Sequence, residues 1–234
     1  LWDAAQRLKD SKMANTWFGK AKIGLQYILT RSGPMSMAPS QLGVFAKSDP
    51  SFETANVEYH VQPLSLDKFG DPLHDFPAIT ASVCNLRPQS RGHCHITAPD
   101  KAVQPEILPN YLSAEADRKV AADSIRLTRK IMSAPSMAQY EPEEYLPGPD
   151  YTSDEDLAQA AGNIGTTIFH PSGTCRMGSD EASVVDGRLR LRGIDGIRVA
   201  DASIMPAIIS GNTNAPVIMI AEKAAEMIKA DRRA

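Results

Sequence analysis

The sequence predicts an α+β fold, an antiparallel sheet with helices on one face. Segments 56–62 and 91–97 alternate apolar and polar residues, the signature of a strand with one face buried. Segments 17–29 and 113–132 carry the helical period instead. A third observation concerns what is lacking: no glycine-rich nucleotide loop follows any strand-like segment. Chemistry-bearing motifs near the C-terminus thus stand apart from any recognisable cofactor grip.

In chain order, the helical period of the first thirty residues runs through Trp17, Ile23, Leu25, Ile28 and Leu29 and breaks at Ser32-Gly33-Pro34. Gln41-Leu42-Gly43-Val44-Phe45 is a short strand candidate. Residues 56–62 (NVEYHVQ) and 76–86, the latter rich in Ile, Val and Thr, follow as strands, with Lys68-Phe69-Gly70-Asp71-Pro72 between them as a hairpin arm. Residues 91–97 (RGHCHIT) alternate again. Ser113 reads as the N-cap of a helix reaching about Met132, with Val120, Ile125, Leu127 and Ile131 available for its buried side.

Proline-rich sequence over 135–149 ends that helix, and 154–162 reads as a short helix. Residues 187–192 alternate as an edge strand, and 196–200 read as a buried strand ending at Asp201. A last helix is expected from Pro216 through Ile228. Proline suits its first turn, where no backbone donor is needed, and Lys229, Arg232 and Arg233 suit its negative end.

Composition narrows the function classes. A net charge of −3 over 234 residues gives no basic footprint for nucleic acid. No apolar run approaches the roughly 18 residues of a membrane span. The Leu1 start lacks an initiator Met and a signal pattern, and reads as the interior of a longer polypeptide. Three widely spaced cysteines fit free thiols in a reducing cytoplasm. A cytoplasmic location, with room for peripheral membrane association, is the expectation.

Two motifs carry chemistry. Phe169-His170-Pro171-Ser172-Gly173-Thr174-Cys175-Arg176-Met177-Gly178 holds one histidine on a Pro/Gly-rich turn, and Ser210-Gly211-Asn212-Thr213-Asn214-Ala215-Pro216 sets an amide at the mouth of the last helix. Taken alone, His170 reads as a packed structural histidine and Asn212 as a helix cap. Taken together, they read as two halves of one active site. His93-Cys94-His95 invites a metal reading, because alternate strand residues share a face. Cys94 points away, however, and no fourth ligand is spaced nearby, so ordinary strand is expected and no metal.

These stretches resemble the glucose–methanol–choline oxidoreductases, and among them the choline-dehydrogenase-like alcohol dehydrogenases. The resemblance rests on HPSGTCRMG, VVDGRLRLRGIDGIRVADASIMP, SGNTNAP and IMIAEKAAEMI in that order, with LRPQSRGHCHIT and PEILPNYLS upstream. It implies the C-terminal portion of an FAD enzyme. Residues 1–185 would be the substrate-binding domain with the histidine loop, and residues 186–234 a strand and helix returning to the FAD-binding domain. The FAD-binding N-terminal half becomes the implied partner, along with a small alcohol substrate. A homo-oligomer through exposed apolar surface is a further implication.

By resemblance, His170 matches the catalytic histidine and Asn212 the second active-site position. His60 matches a substrate-lining histidine. Asp201 and Ala202 match the strand end that meets FAD, and Thr213 and Asn214 the backbone that meets the flavin ring. Choline-type members carry a Glu four residues before the Phe that is Phe45 here, facing the substrate's ammonium, whereas this chain has Gln41. An amide cannot offset a buried cation, so a neutral alcohol, polyol or sugar-like substrate is expected rather than choline. The activity implied is alcohol oxidation by hydride transfer to flavin with His170 as base. The alternatives are a hydroxynitrile-lyase-like non-redox reaction and a non-catalytic interaction module.

Overall fold

A computed structural model describes residues 16–38, 40–67, 70–74 and 76–232. Lys68, Phe69 and Arg233, parts of the expected hairpin arm and helix end, lie outside the described residues. The elements are α1 (Trp17–Thr30), β1 (Leu42–Ala46), β2 (Val57–Gln62), β3 (Thr80–Asn85), β4 (His93–His95), β5 (Glu106–Leu108), α2 (Glu115–Met132), α3 (Pro135–Ala138), α4 (Asp154–Ile164) and α5 (Asn214–Asp231). Single 3-10 turns occupy Pro34–Ser36 and Ala202–Ile204. The architecture is mixed helix and antiparallel sheet, as expected. It forms two compact units: Leu1–Cys84 with Asp123–Tyr145, and Asn85–Ala122 with Leu146–Ala234.

In the first unit, β1, β2 and β3 form a sheet in that order, with β1 and β2 antiparallel and Gly43 opposite His60. Strand alternation gives this pair two distinct faces. Val57 and Tyr59 are buried on one. There Tyr59 Oη donates to the Ser124 carbonyl at 3.4 Å and shares a 3.0 Å hydrogen bond with Thr128 Oγ1, both on α2. The opposite face carries Gln41, Glu58, His60 and Gln62.

Thr16 caps α1 by accepting from Gly19 N at 3.0 Å. The helix buries only Gly19 and Ile23, leaving Trp17, Leu25, Ile28 and Leu29 exposed, so most of the expected core stripe faces outward.

In the second unit, Val185, Leu189, Ile204, Met205, Ile220 and Ala224 form one apolar cluster. It seats α5 on the loops before it. The start of α2 is anchored by Asp117, which accepts from Gln89 N (2.9 Å), Ser90 N (2.7 Å) and Asn85 Nδ2 (3.1 Å). Burial raises the Asp117 carboxyl's pKa, but these hydrogen bonds outweigh it and the net shift is downward. The first α2 amides bond to the Ala114 carbonyl, one residue beyond the expected cap Ser113.

Residues 187–192 and 196–200 correct the sequence reading. They form isolated bridges, Val185 with Leu191 and Arg190 with Arg198, rather than regular strands. Leu189, Gly193 and Gly196 take positive φ and turn the chain every few residues, which a ladder cannot absorb. Ile197, expected in a buried strand, is exposed. Strand β5 was not expected at all. It pairs antiparallel with β4 as a separate two-stranded sheet, so the alternating residues 91–97 do not join the main sheet.

Candidate active site

The histidine run is built as a turn laid against the segment that follows Asp201. Phe169 takes φ 62, a left-handed conformation seldom adopted by an aromatic residue, and Gly173 takes φ 87. Three backbone bonds then fasten the run. Gly173 N donates to Ala202 O at 3.3 Å, Cys175 N to Ser203 O at 2.9 Å, and Met177 N to Ile204 O at 2.8 Å. A Cβ at position 173 would stand 3.2 Å from the Met205 carbonyl, so glycine is needed for both space and conformation. His170 itself is half-buried.

Further along the run, Arg176 pairs with Asp180 through 2.9 and 2.5 Å contacts. That guanidinium holds the Asp180 carboxyl down at about 2. Asp201 starts the Ala202–Ile204 turn by accepting from Ser203 N at 2.8 Å. Ile204 and Met205 enter the apolar cluster, which fixes this segment against α5.

Helix α5 begins at Asn214, with Thr213 in the cap position but making no side-chain cap hydrogen bond. The first-turn amides of Asn214 and Ala215 have no carbonyl below them in the helix, and Pro216 has no donor. Asn212 and Asn214 are exposed beside them. This end therefore offers backbone donors and the positive pole of a helix Asn214–Asp231 long. An electron-rich, anion-forming ring edge fits such a donor set, so the residues present suit a flavin.

At the far end of α5, Asp231 accepts from Arg188 at 2.5 Å and from Arg190 at 2.7 Å, and also pairs with Arg198. The Arg190 contact leads in pushing its carboxyl well below the usual range. The expected basic residues are present as Lys229 in the last turn and Arg232 at the C-cap.

In the other unit, Gln41 and His60 share the polar face of the β1–β2 pair. Gln41 N donates to Val61 O at 3.0 Å, which extends the strand register to it. Among the described residues His60 Nε2 is buried with no hydrogen-bond partner, and it stands 3.6 Å from Glu58 Oε1. Glu58, buried and on the same face, escaped the sequence reading. Its only signal was alternation with His60. Cys84 feels both: burial raises its thiol pKa, and the Glu58 charge adds to the shift.

Glu106 also escaped it. The β4–β5 register sets Glu106 opposite His95. His93, His95 and Glu106 form a group of ligand-bearing side chains among the described residues. An open recess of about 560 Å³ lies elsewhere, lined by Met177, Asp186, Arg192 and Pro206 among others and by none of the expected site residues. No described helix is long and apolar enough to cross a membrane.

Comparisons with known proteins agree on the family. The GMC oxidoreductase family model matches residues 88–221. An oxygen-dependent choline dehydrogenase of Escherichia coli is 41% identical over 213 residues, covering 91% of this chain and 38% of that protein. The chain thus spans well under half the length of the curated relatives it matches. Pyridoxine 4-oxidase from Mesorbium loti superposes with a TM-score of 0.72 at 28% identity, over 80% of this chain and 37% of its own. A formate oxidase from Aspergillus oryzae RIB40 shares the fold with a TM-score of 0.81 at 23% identity, over 96% and 44%. With more than half its residues under one family model and its fold shared, the chain belongs to the GMC oxidoreductase family.

Proposed function

We propose that this chain is the substrate-binding and catalytic portion of an FAD-dependent oxidoreductase acting on a primary or secondary alcohol. The observation that carries the reading is the triple backbone ladder between the His170 run and residues 202–204. It ties the histidine turn to the segment that precedes the Asn212 motif in the chain. When bound, FAD would supply the hydride acceptor.

His170 accepts the hydroxyl proton as the hydride leaves the same carbon and later releases it. Asn212 donates a hydrogen bond toward the developing alkoxide without ionising. Asp201, Ala202, Thr213 and Asn214 hold the cofactor, the last two through the amide end of α5. Gln41 and His60 line the substrate side, and Gln41 disfavours a cationic alcohol. Residues 186–234 belong with the FAD-binding domain, and exposed Ile197, Ile218 and Met219 are its contact surface. The same surface supports self-association when that domain is absent.

The test is anaerobic. The protein joined to its FAD-binding half is mixed with a panel of alcohols while the flavin absorbance is followed. Bleaching by an alcohol supports the reading. A flavin that stays oxidised while substrate is consumed overturns it in favour of a non-redox lyase.

A further inference from the structure

Outside the flavin reading, the β4–β5 hairpin gathers three metal-ligating side chains. His93 and His95 are alternate residues of one strand, so both imidazoles project from the same face and Cys94 from the other. Antiparallel register places Glu106 directly opposite His95 and diagonal to His93. Gly92 makes the pairing this close: a Cβ there would meet the Leu108 carbonyl at 2.0 Å. Expecting no metal rested on the lack of a further donor near the two histidines, and the hairpin brings one from thirteen residues along the chain.

We propose that His93, His95 and Glu106 bind a first-row divalent cation of the zinc class. The ligand atoms of the three lie within 4.8 Å of one another. His93 Nε2 and Glu106 Oε2 are already 3.2 Å apart. Metal–ligand bonds of about 2.0–2.2 Å place adjacent ligands of a tetrahedron roughly 3.3–3.6 Å apart, so that pair is already close to the required spacing. The two rings are stacked, with centroids 4.3 Å apart and planes 18° from parallel. His95 and Glu106 are exposed, so either side chain can turn to close the remaining gap without leaving a buried site.

A surface ion pair accounts for His93 beside Glu106 but not for the second imidazole stacked on the first. Such exposed pairs hold little energy. Two imidazoles and one carboxylate suit zinc, nickel or copper and give magnesium and calcium too few oxygens. Water would fill the remaining positions.

Zinc chloride titrated into the 234-residue chain, read by calorimetry and by the imidazole NMR signals, tests this. One zinc per chain is expected, with shifts of the His93 and His95 signals and none from magnesium chloride. H95A and E106Q should each weaken binding at least tenfold, and C94S should leave it unchanged. Thermal unfolding of each variant without metal confirms that the fold is retained. Zinc that leaves both imidazole signals of the unmodified chain unmoved overturns the proposal. So does affinity that survives the H93A/H95A pair, or that C94S abolishes.

Discussion

The backbone amide of Cys175 donates to the carbonyl of Ser203 at 2.9 Å, the middle rung of the three that lock the histidine turn to the segment after Asp201. Tight lamination of two irregular segments has a sequence cost, and Gly173 bears it. An alanine there must hold φ near 87 and push its methyl within 3.2 Å of the Met205 carbonyl. Gly173→Ala should destabilise by about 1–2 kcal/mol, lowering Tm by roughly 2–8 °C. Scanning calorimetry checks it, and an unchanged Tm would show that the ladder is looser than described.

Asp117 should link stability to acid. Its buried carboxylate collects donors from Asn85, Gln89 and Ser90, which together lower its pKa in the folded chain. A lowered folded value means the carboxylate's contribution is complete above the unfolded pKa of about 3.9 and is lost as pH falls through the folded one. Asp117→Asn should cost about 2–3 kcal/mol at neutral pH. The gap from the parent should close below about pH 4. Denaturant midpoints at a series of pH values measure it; a gap that widens in acid would contradict the sign.

Gln41 should set charge preference. Gln41→Glu in the protein joined to its FAD-binding half should raise kcat/KM for a quaternary-ammonium alcohol relative to a neutral one, by tenfold or more. A carboxylate offsets the desolvated cation where the amide does not. Steady-state rates on matched cationic and neutral alcohols decide it, and an unchanged ratio removes Gln41 from the substrate side.

FAD retention by the 234-residue chain alone should be weak or absent, because the sequence holds no glycine-rich loop to grip the pyrophosphate. Equilibrium dialysis measures this. Stoichiometric, tight binding would show that α5 and Asp201 suffice.

Much of this was legible in the sequence where the signal is local. NVEYHVQ alternates over its whole length and became β2, shifted by one residue at its start. Residues 154–162 read as a short helix and became α4, which runs on to Ile164 and is capped by Ser153 accepting from Asp156 N. What failed was non-local. Residues 196–200 look like a buried strand by composition, but positive φ at Gly193 and Gly196 leaves them only an isolated bridge. Glu106-Ile107-Leu108, bracketed by Pro105 and Pro109, gives no alternation to read, so neither β5 nor its meeting with His93 and His95 could be anticipated. Glu58 was passed over for the same reason: its burial beside His60 depends on what covers that face. His170 and Asn212 stood out through their motifs, whereas the approach of Gly173 to the Met205 carbonyl is non-local and has no sequence signal.

The most direct measurement is the rate of anaerobic flavin reduction by alcohol, in stopped flow, for parent and His170→Ala protein joined to its FAD-binding half. Loss of the base should slow reduction by 10²- to 10⁴-fold, with FAD content unchanged. Reduction in the variant at the parent's rate would contradict the account.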